Sequence, residues 1–361
     1  MGISALFGRR KPEQSDIPSA KFLSRCWDKG RLPCTSCKKS LPISEMRLLQ
    51  LQNCPHCDTP YFAPKKIADY FLYEPAGGGG MGSVYKAVSL NFPEQLLAVK
   101  VLSRRERDNP PNIHALLNEA AVSAHFRESE FIASCLDSGF ADDEYFTVMD
   151  YIAGERLDKR IERQNQLPAQ EVVPMALHIL AAEQHIYTRG FLFRDLKPEN
   201  IIINPNGYAV LLDFGLCITR EQALNPTDEF ISGSPYYLPP ERLLGNSEDA
   251  YSELYSLGMV MFHALTGRTY YDADELESLA KRHVSKLRVS SAAKLEGIFP
   301  PLAELMERMI RQNPEERPQT FAEVFEALKQ INAALPPIED ADSKTETASK
   351  IPGLIGVTDP H

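Results

Sequence analysis

The chain has 361 residues, and its 43% hydrophobic and 24% charged content is typical of an ordinary globular protein with two or three domains. No apolar run approaches the roughly 20 residues needed to cross a bilayer, and the N-terminus lacks an apolar core of signal-peptide length. We therefore expect a cytoplasmic protein without a membrane anchor. The net charge of −10 is uneven, because residues 1–66 carry 12 Lys and Arg against 5 Asp and Glu. This basic stretch is solvated surface in the simplest interpretation, or it attracts an anionic partner.

The first 62 residues divide into two parts. Residues 1–30 are polar with little periodicity, which predicts a flexible arm. Residues 31–62 contain two close cysteine pairs separated by sixteen residues. The four cysteines are Cys34, Cys37, Cys54 and Cys57. In a cytosolic chain this spacing favours a small zinc ribbon with four cysteine ligands, a closed structural site, over four cysteines without metal. We expect the ribbon to dock a regulatory partner rather than nucleic acid, because its basic residues lack interleaved aromatic residues.

Four strands and one helix are expected between residues 67 and 151, from alternating and helical apolar spacing. The strands are predicted at 67–73, 83–89, 95–101 and 145–151, and the helix at 113–126. The first two strands flank a glycine-rich turn, and glycines there let a backbone approach phosphate groups closely, although a flexible hairpin tip looks the same in sequence. The third strand carries Lys100, and the helix carries Glu119 as the candidate carboxylate that holds this cation.

The chain is then mainly helical up to residue 333, with helices predicted at 171–189, 253–266, 302–312 and 320–333. Between the first two of these, Asp195 and Asn200 share one short loop, and Asp213 follows a hairpin. We therefore expect these side chains to converge from adjacent loops. Residues 334–361 have few large apolar residues, which predicts a disordered tail.

Six motifs follow one another along the chain. The motifs are Gly77, Gly79, Gly82 and Val84 in the glycine turn, Lys100 in Leu-Ala-Val-Lys, Glu119, Phe-Arg-Asp-Leu-Lys-Pro-Glu-Asn at 193–200, Asp-Phe-Gly at 213–215, and Pro-Pro-Glu at 239–241. In these motifs and their order the chain resembles the eukaryotic-like serine/threonine protein kinases, and most closely their bacterial members, over about residues 67–333. The resemblance implies an α+β, bilobal protein kinase fold, with a small β-rich lobe containing one helix and a large, mainly helical lobe, preceded here by the zinc ribbon.

The resemblance also implies a role for each residue of the site. Asp195 would be the catalytic base, Lys197 would steady the transferred phosphoryl group, and Lys100, held by Glu119, would neutralise phosphates of ATP. The residues expected to bind Mg²⁺ (or Mn²⁺) are Asn200 and Asp213. The residues expected around the nucleotide are Gly77, Gly79, Gly82, Val84, Ala98, Lys100, Met149, Asp150, Ile152, Asn200, Ile202 and Asp213.

The expected substrates are Ser and Thr hydroxyls of proteins, including the protein itself. The run Asp-Leu-Lys-Pro-Glu-Asn and Ser234 are typical of the serine/threonine branch. Arg194 precedes the base, where the family often places an arginine that meets a phosphate on the activation segment. Of the candidates Thr219, Thr227 and Ser232, we expect phosphorylation of Thr227 or Ser232 to order this segment.

Several positions depart from the family pattern. Phe193 replaces the usual His, and its ring should stack in the same place. Glu253 replaces the usual Asp under the catalytic loop, and Ser123 replaces a large apolar residue, which could leave the regulatory helix loosely docked. Glu241 is retained and can pair with Arg317. None of these changes removes a group that touches ATP, metal or hydroxyl, so an active kinase is favoured over the alternatives, a pseudokinase scaffold with a docking ribbon or a regulator that binds nucleic acid through the ribbon.

Overall fold

The computed structural model describes residues 17–78, 82–93, 95–226, 234–271 and 294–337. Gly79, Thr227 and Ser232, for which roles were predicted, lie outside the described residues. So do residues 1–16 of the predicted arm and residues 338–361 of the predicted tail.

The N-terminal module consists of one helix and two small antiparallel hairpins. Its elements are α1 (Ala20–Asp28), β1 (Arg31–Pro33), β2 (Ser40–Pro42), β3 (Leu51–Asn53) and β4 (Pro60–Phe62). The turn of each hairpin contains one of the two cysteine pairs, so the hairpins present the four thiols toward each other.

The expected flexible arm is wrong for residues 17–30, where the chain forms α1 and packs on the neighbouring sheet. Leu23 is buried against Phe71 and Val88, and the Trp27 ring lies 6.3 Å from the Phe71 ring in an edge-to-face arrangement. Leu23 and Trp27 are four residues apart, which places them on one helical face. The helix has only nine residues, but this helical spacing is present in the sequence, and the sequence analysis overlooked it.

A six-stranded antiparallel sheet and one helix form the small lobe. The spatial order of the strands is β5 (Lys65–Ile67), β6 (Tyr70–Gly78), β7 (Gly82–Ser89), β8 (Leu97–Leu102), β10 (Glu144–Asp150) and β9 (Cys135–Ala141). The helix, α2 (Pro110–Ser123), packs against β9 and β10. Alternating apolar residues such as Leu72, Val99 and Val148 are fully buried on one face of the sheet. The sequence predicted four of these strands and missed β5 and β9.

The large lobe is mainly helical. Its helices are α3 (Leu157–Gln164), α4 (Ala169–Thr188), α5 (Arg220–Leu224), α6 (Pro240–Leu243), α7 (Ala250–Thr266), α8 (Pro300–Met309) and α9 (Phe321–Ala334). Its short strands are β11 (Glu155–Arg156), β12 (Phe191–Leu192), β13 (Ile201–Ile203), β14 (Ala209–Leu211) and β15 (Ile218–Thr219). Helix α4 packs on α7, α9 and β14, and these contacts form the centre of the main apolar core. The predicted α+β, two-lobed architecture is confirmed.

Candidate active site

The loop between β12 and β13 holds Asp195 in a fixed network. The Lys197 Nζ donates to Asp195 Oδ2 at 2.7 Å, and the Asn200 Nδ2 donates to the same oxygen at 2.8 Å and to the Asp195 carbonyl at 2.9 Å. Burial raises the pKa of Asp195, and the hydrogen bonds from Lys197 and Asn200 oppose this rise. A buried carboxylate with a raised pKa is a stronger base, which suits the removal of a proton from a hydroxyl.

Asp213 is held by an unusual backbone conformation and by a stack of aromatic rings beneath it. Its φ is 64°, a left-handed value that costs free energy for any residue other than glycine. The next side chain, Phe214, is buried between Phe193 and Phe126, with ring centroids 5.3 and 5.4 Å away. The expected stacking of Phe193 is therefore confirmed, and it fixes the peptide that carries Asp213.

Lys100 of β8 and Glu119 of α2 form an ion pair, with 2.6 Å between Lys100 Nζ and Glu119 Oε2. Burial alone would lower the pKa of Lys100, but the facing carboxylates of Glu119 and Asp213 outweigh it and raise the pKa above its usual value. Lys100 is therefore a charged ammonium at physiological pH, aimed at the space where Asp213 lies.

One cavity of about 210 Å³ joins these groups. Its lining includes Gly82, Lys100, Glu119, Asp195 and Asp213, which come from β7, β8, α2 and two loops. The structure thus brings together residues that the sequence placed up to 131 positions apart. A cation, three carboxylates and a nearby amide in one concave space are suited to bind a phosphorylated ligand together with a divalent cation.

The residues predicted around the base of the nucleotide lie on the sheet and on β13, outside the lining of that cavity. In the antiparallel ladder Val84 is opposite Lys100, and Met149 is opposite Ala98. Residues directly opposite one another share a face of the sheet, and positions two apart along a strand do so as well. Val84, Ala98, Lys100 and Met149 therefore all lie on one face, while Ile202 is on β13 of the large lobe.

The segment between the lobes is tied to the start of β8. The Tyr151 amide donates to the Leu96 carbonyl at 3.0 Å, and Gln95 donates to the Asp150 carboxylate. Ile152, which follows, was predicted with Asp150 to border the nucleotide. These contacts hold the segment close to Ala98.

Of the glycine-rich turn, the structure describes the two ends, residues 77–78 and residue 82. A Cβ at Gly77 would meet nothing within 4 Å, whereas a Cβ at Gly82 would lie 2.4 Å from the Val101 carbonyl oxygen of β8. Gly82 is therefore required by close packing of two strands, a reason that the sequence analysis did not consider.

Arg194 is enclosed by buried charges. Both carboxylate oxygens of Glu253 accept its amide proton at 3.1 Å, and the Arg242 guanidinium donates to its carbonyl. Its own guanidinium lies 2.9 Å from Glu248, which also pairs with Arg242 at 2.6 Å. The prediction that Glu253 would reach backbone amides despite its extra methylene is confirmed.

Of the three candidate phosphorylation sites, Thr219 is the one within the described residues, and its side chain caps the start of α5.

Ser123 does not leave α2 loosely docked. Its side chain is buried, accepts a hydrogen bond from the Cys135 amide at 3.1 Å and donates to the Ala120 carbonyl at 3.3 Å. Phe126, in the next turn of the chain, supplies the large apolar contact with Phe214. The sequence analysis missed Phe126 because it considered only the position one turn beyond Glu119.

The four predicted zinc ligands converge in the N-terminal module. Their sulfur atoms lie within 4.8 Å of one another, with 3.8 Å between Cys34 and Cys57 and 3.9 Å between Cys37 and Cys54. Zn–S bonds of about 2.3 Å in a tetrahedron place the sulfurs about 3.8 Å apart, and a disulfide would need about 2.05 Å. The thiols therefore fit a zinc ion and are not paired as disulfides.

The ribbon contacts the strand that follows the glycine-rich turn. The Phe62 ring of β4 lies 6.1 Å from the Tyr85 ring of β7, next to Val84. Together with the contacts of α1, this packs the N-terminal module against β6 and β7 of the small-lobe sheet.

Sequence reasoning missed three buried charged residues near the catalytic loop: Glu183, Arg242 and Glu248. For Glu183 the sequence contained a clue, because it interrupts the apolar stripe of α4 formed by Ala176, Ile179 and Ile186. No comparable pattern surrounds Arg242 or Glu248.

An ion-paired lysine and two aspartates line one cavity of a two-lobed fold, an arrangement typical of phosphoryl-transfer sites. The chain belongs to the protein kinase family: the family described as protein kinase domain matches residues 70–330. Membership implies ATP and a divalent metal ion as ligands of the site.

Curated relatives carry names of the same kind. A probable serine/threonine-protein kinase of Clostridium acetobutylicum is 28% identical over 262 residues, which is 73% of this chain and 40% of that protein. The serine/threonine-protein kinases pkn3 of Myxococcus xanthus and PknB of Mycobacterium tuberculosis are each 29% identical, over 75% and 82% of this chain and 51% and 49% of their own lengths. The chain therefore spans about half, or less, of the length of these relatives. None of the helices in the described ranges is long and apolar enough to cross a membrane.

Proposed function

We propose that the protein transfers the γ-phosphoryl group of ATP to Ser and Thr hydroxyls of proteins, including its own. One observation carries this proposal: the Lys100–Glu119 pair and the network around Asp195 are both formed and open into a single cavity. Positioning and charge stabilisation are what phosphoryl transfer requires from a protein. The names of the relatives support Ser and Thr as acceptors.

Each side chain has a task that follows from its charge and contacts. Asp195 accepts the proton of the substrate hydroxyl, and Lys197, 2.7 Å away, steadies the transferred group. Lys100 binds the α- and β-phosphates, and Glu119 keeps it in place. Asn200 holds Asp195 through its amide nitrogen, which leaves its amide oxygen as a metal ligand.

Asn200 and Asp213 would hold Mg²⁺ or Mn²⁺, since amide and carboxylate oxygens are the ligands these ions prefer. The metal supplies charge that offsets the negative phosphate oxygens in the transition state. The adenine would lie against Val84, Ala98 and Ile202, with Met149 behind it. This arrangement follows from the shared face of the sheet.

The contacts of two unusual residues support an active enzyme over a pseudokinase scaffold. Ser123 and Glu253 were the departures in its favour, and both make ordered, buried hydrogen bonds. The groups that would contact ATP, metal and hydroxyl are all retained.

Labelled γ-phosphate transfer from ATP tests the proposal, with the protein itself and a generic basic protein as acceptors. Asp195→Asn should abolish label on Ser and Thr, while Asp143→Asn, a matched change in an exposed turn, should leave it intact. Phosphoamino-acid analysis identifies the acceptor. An unlabelled wild-type protein that binds ATP normally would refute the kinase activity and favour the scaffold.

We further propose that the ribbon binds a structural zinc ion and docks a regulatory protein partner. The sulfur spacing supports zinc, and the contact of the ribbon with β7 supports a route from that partner to the nucleotide turn. A cytoplasmic location is consistent with seven free cysteines, since thiols persist in reducing compartments.

A further inference from the structure

Five buried or half-buried charged side chains meet beneath the catalytic loop. They are Glu183 on α4, Arg194 in the loop, Arg242 on α6, Glu248 before α7, and Glu253 on α7. Glu183 and Glu253 are each 2% exposed, and the side chains of Arg242 and Glu248 are 4% and 5% exposed. The centre of the group is the peptide of Arg194, which immediately precedes the proposed base.

The charges of this group balance only if one carboxyl group carries a proton. Two guanidinium groups supply two positive charges, and three ionised carboxylates would supply three negative charges. Glu248 pairs with both guanidinium groups, and Glu253 accepts the Arg194 amide proton. Glu183 has neither kind of partner: both of its oxygens are buried without any donor. An isolated buried carboxylate is very unfavourable, so the extra proton belongs on Glu183.

Glu253 is the neighbouring group that can accept a hydrogen bond from a protonated Glu183. The carboxyl group of Glu183 faces that of Glu253 on α7, the helix that packs against α4. Two carboxyl groups can share a hydrogen bond only when one of them is protonated, and the protonated one is the donor. Burial and the charge of Glu253 both raise the pKa of Glu183 well above its usual value. The charges that face Glu253 from other elements are Arg242, Arg194 and Glu248.

We propose that Glu183 is a neutral carboxylic acid that donates a hydrogen bond to Glu253, and that it thereby acts as a positioning residue for the catalytic loop. Glu253 can then use its charge to hold the amide of Arg194, and this amide fixes the turn that presents Asp195. The positioning half of the proposal rests on the proposed kinase function. The protonation half depends only on the buried charges.

Two substitutions separate the hydrogen bond from the shape of the side chain. Glu183→Gln keeps a donor of the same size, and we expect its kcat to remain within about 3-fold of the wild-type value. Glu183→Leu keeps the bulk but removes the donor, and we expect kcat to fall about 10- to 100-fold with the KM for ATP nearly unchanged. Equal kcat values for the two folded variants would overturn the positioning role.

Infrared spectroscopy of the nucleotide-free protein tests the protonation directly. At about pH 7.5 an ordinary glutamate is ionised, whereas Glu183 should contribute the carbonyl stretch of a protonated acid, shifted in D₂O. The spectrum of wild type minus Glu183→Gln should contain this band, and that of wild type minus Glu326→Gln, an exposed control, should contain only carboxylate bands. Carboxylate bands alone in the Glu183→Gln difference would overturn the proposal. Because no ATP is present, the outcome of this measurement does not depend on whether the protein is an active kinase.

Discussion

Glu241 and Arg317 form a buried ion pair whose loss should destabilise the large lobe. Arg317 Nη1 and Nη2 lie 2.8 and 2.9 Å from the two oxygens of Glu241, and the side chains are 0% and 3% exposed. Ser252 donates to the same carboxylate at 2.6 Å, and the guanidinium packs over the Tyr255 ring at 4.6 Å. The charge of Arg317 therefore has no access to water and depends on Glu241.

Glu241→Gln removes one charge and leaves the other buried. Breaking such a pair costs about 3–5 kcal/mol of folding free energy. A loss of 1 kcal/mol lowers the midpoint of thermal unfolding by about 2–4 °C in a domain of 150–250 residues, so we expect a fall of about 6–20 °C. Calorimetry is the suitable assay, because the single tryptophan, Trp27, lies in the N-terminal module and does not report on the large lobe.

Glu323→Gln is the matched control. Glu323 pairs with Arg308 at 2.5 Å, but the two side chains are 42% and 49% exposed. An exposed pair contributes about 0–1 kcal/mol, so the midpoint should fall by no more than about 4 °C. If the unfolding midpoint of Glu241→Gln falls no further than that of Glu323→Gln, the reasoning that burial makes the Glu241–Arg317 pair important is refuted.

Three further outcomes are expected. Metal analysis should find one zinc ion per chain. A strong chelator should change the fluorescence of Trp27, because α1 packs beside the hairpins that the metal joins. A chain without zinc, or a fluorescence emission that the chelator leaves unchanged, would contradict this. Since Asp195 must be ionised to act as a base and burial raises its pKa, kcat at saturating Mg-ATP should fall as the pH falls through a value above the usual Asp pKa of about 3.9; a rate that stays level down to about pH 4 would disprove it. The resemblance led us to expect that a phosphate on the activation segment meets Arg194, but Glu248 already pairs with Arg194 in the structure. Phosphatase-treated protein should therefore retain activity, and Glu248→Gln should lose at least about 10-fold in kcat; inactivation by the phosphatase alone would support the original expectation.

The parts of the site that the sequence revealed are those coded by contiguous residues. The loop with Asp195, Lys197 and Asn200 needs only eight successive residues, so its spacing fixes its chemistry. Lys100 and Glu119 required only the recognition of one strand and one helix. The roles assigned to individual residues around ATP remain predictions.

The parts that the sequence did not reveal depend on contacts between distant segments. Glu183 meets Glu253 across two packed helices, 70 positions away along the chain. Nothing local to either residue indicates the other, and a glutamate in an apolar stripe could equally have been a paired or solvated side chain. The docking of α1 was hidden for the same reason, because its partner face belongs to β6 and β7.

The contacts of the N-terminal module determine where a shortened protein can begin. Glu144 is 5% exposed and binds both Lys65, at the exit of the ribbon, and Arg107, in the loop before α2. A chain that started at residue 67, where the kinase resemblance starts, would lose one of these two cations and would expose Phe71 and Val88 to water. Recombinant expression of the catalytic region should therefore include the chain from about residue 17, since the ribbon and α1 cover apolar residues of the small-lobe sheet.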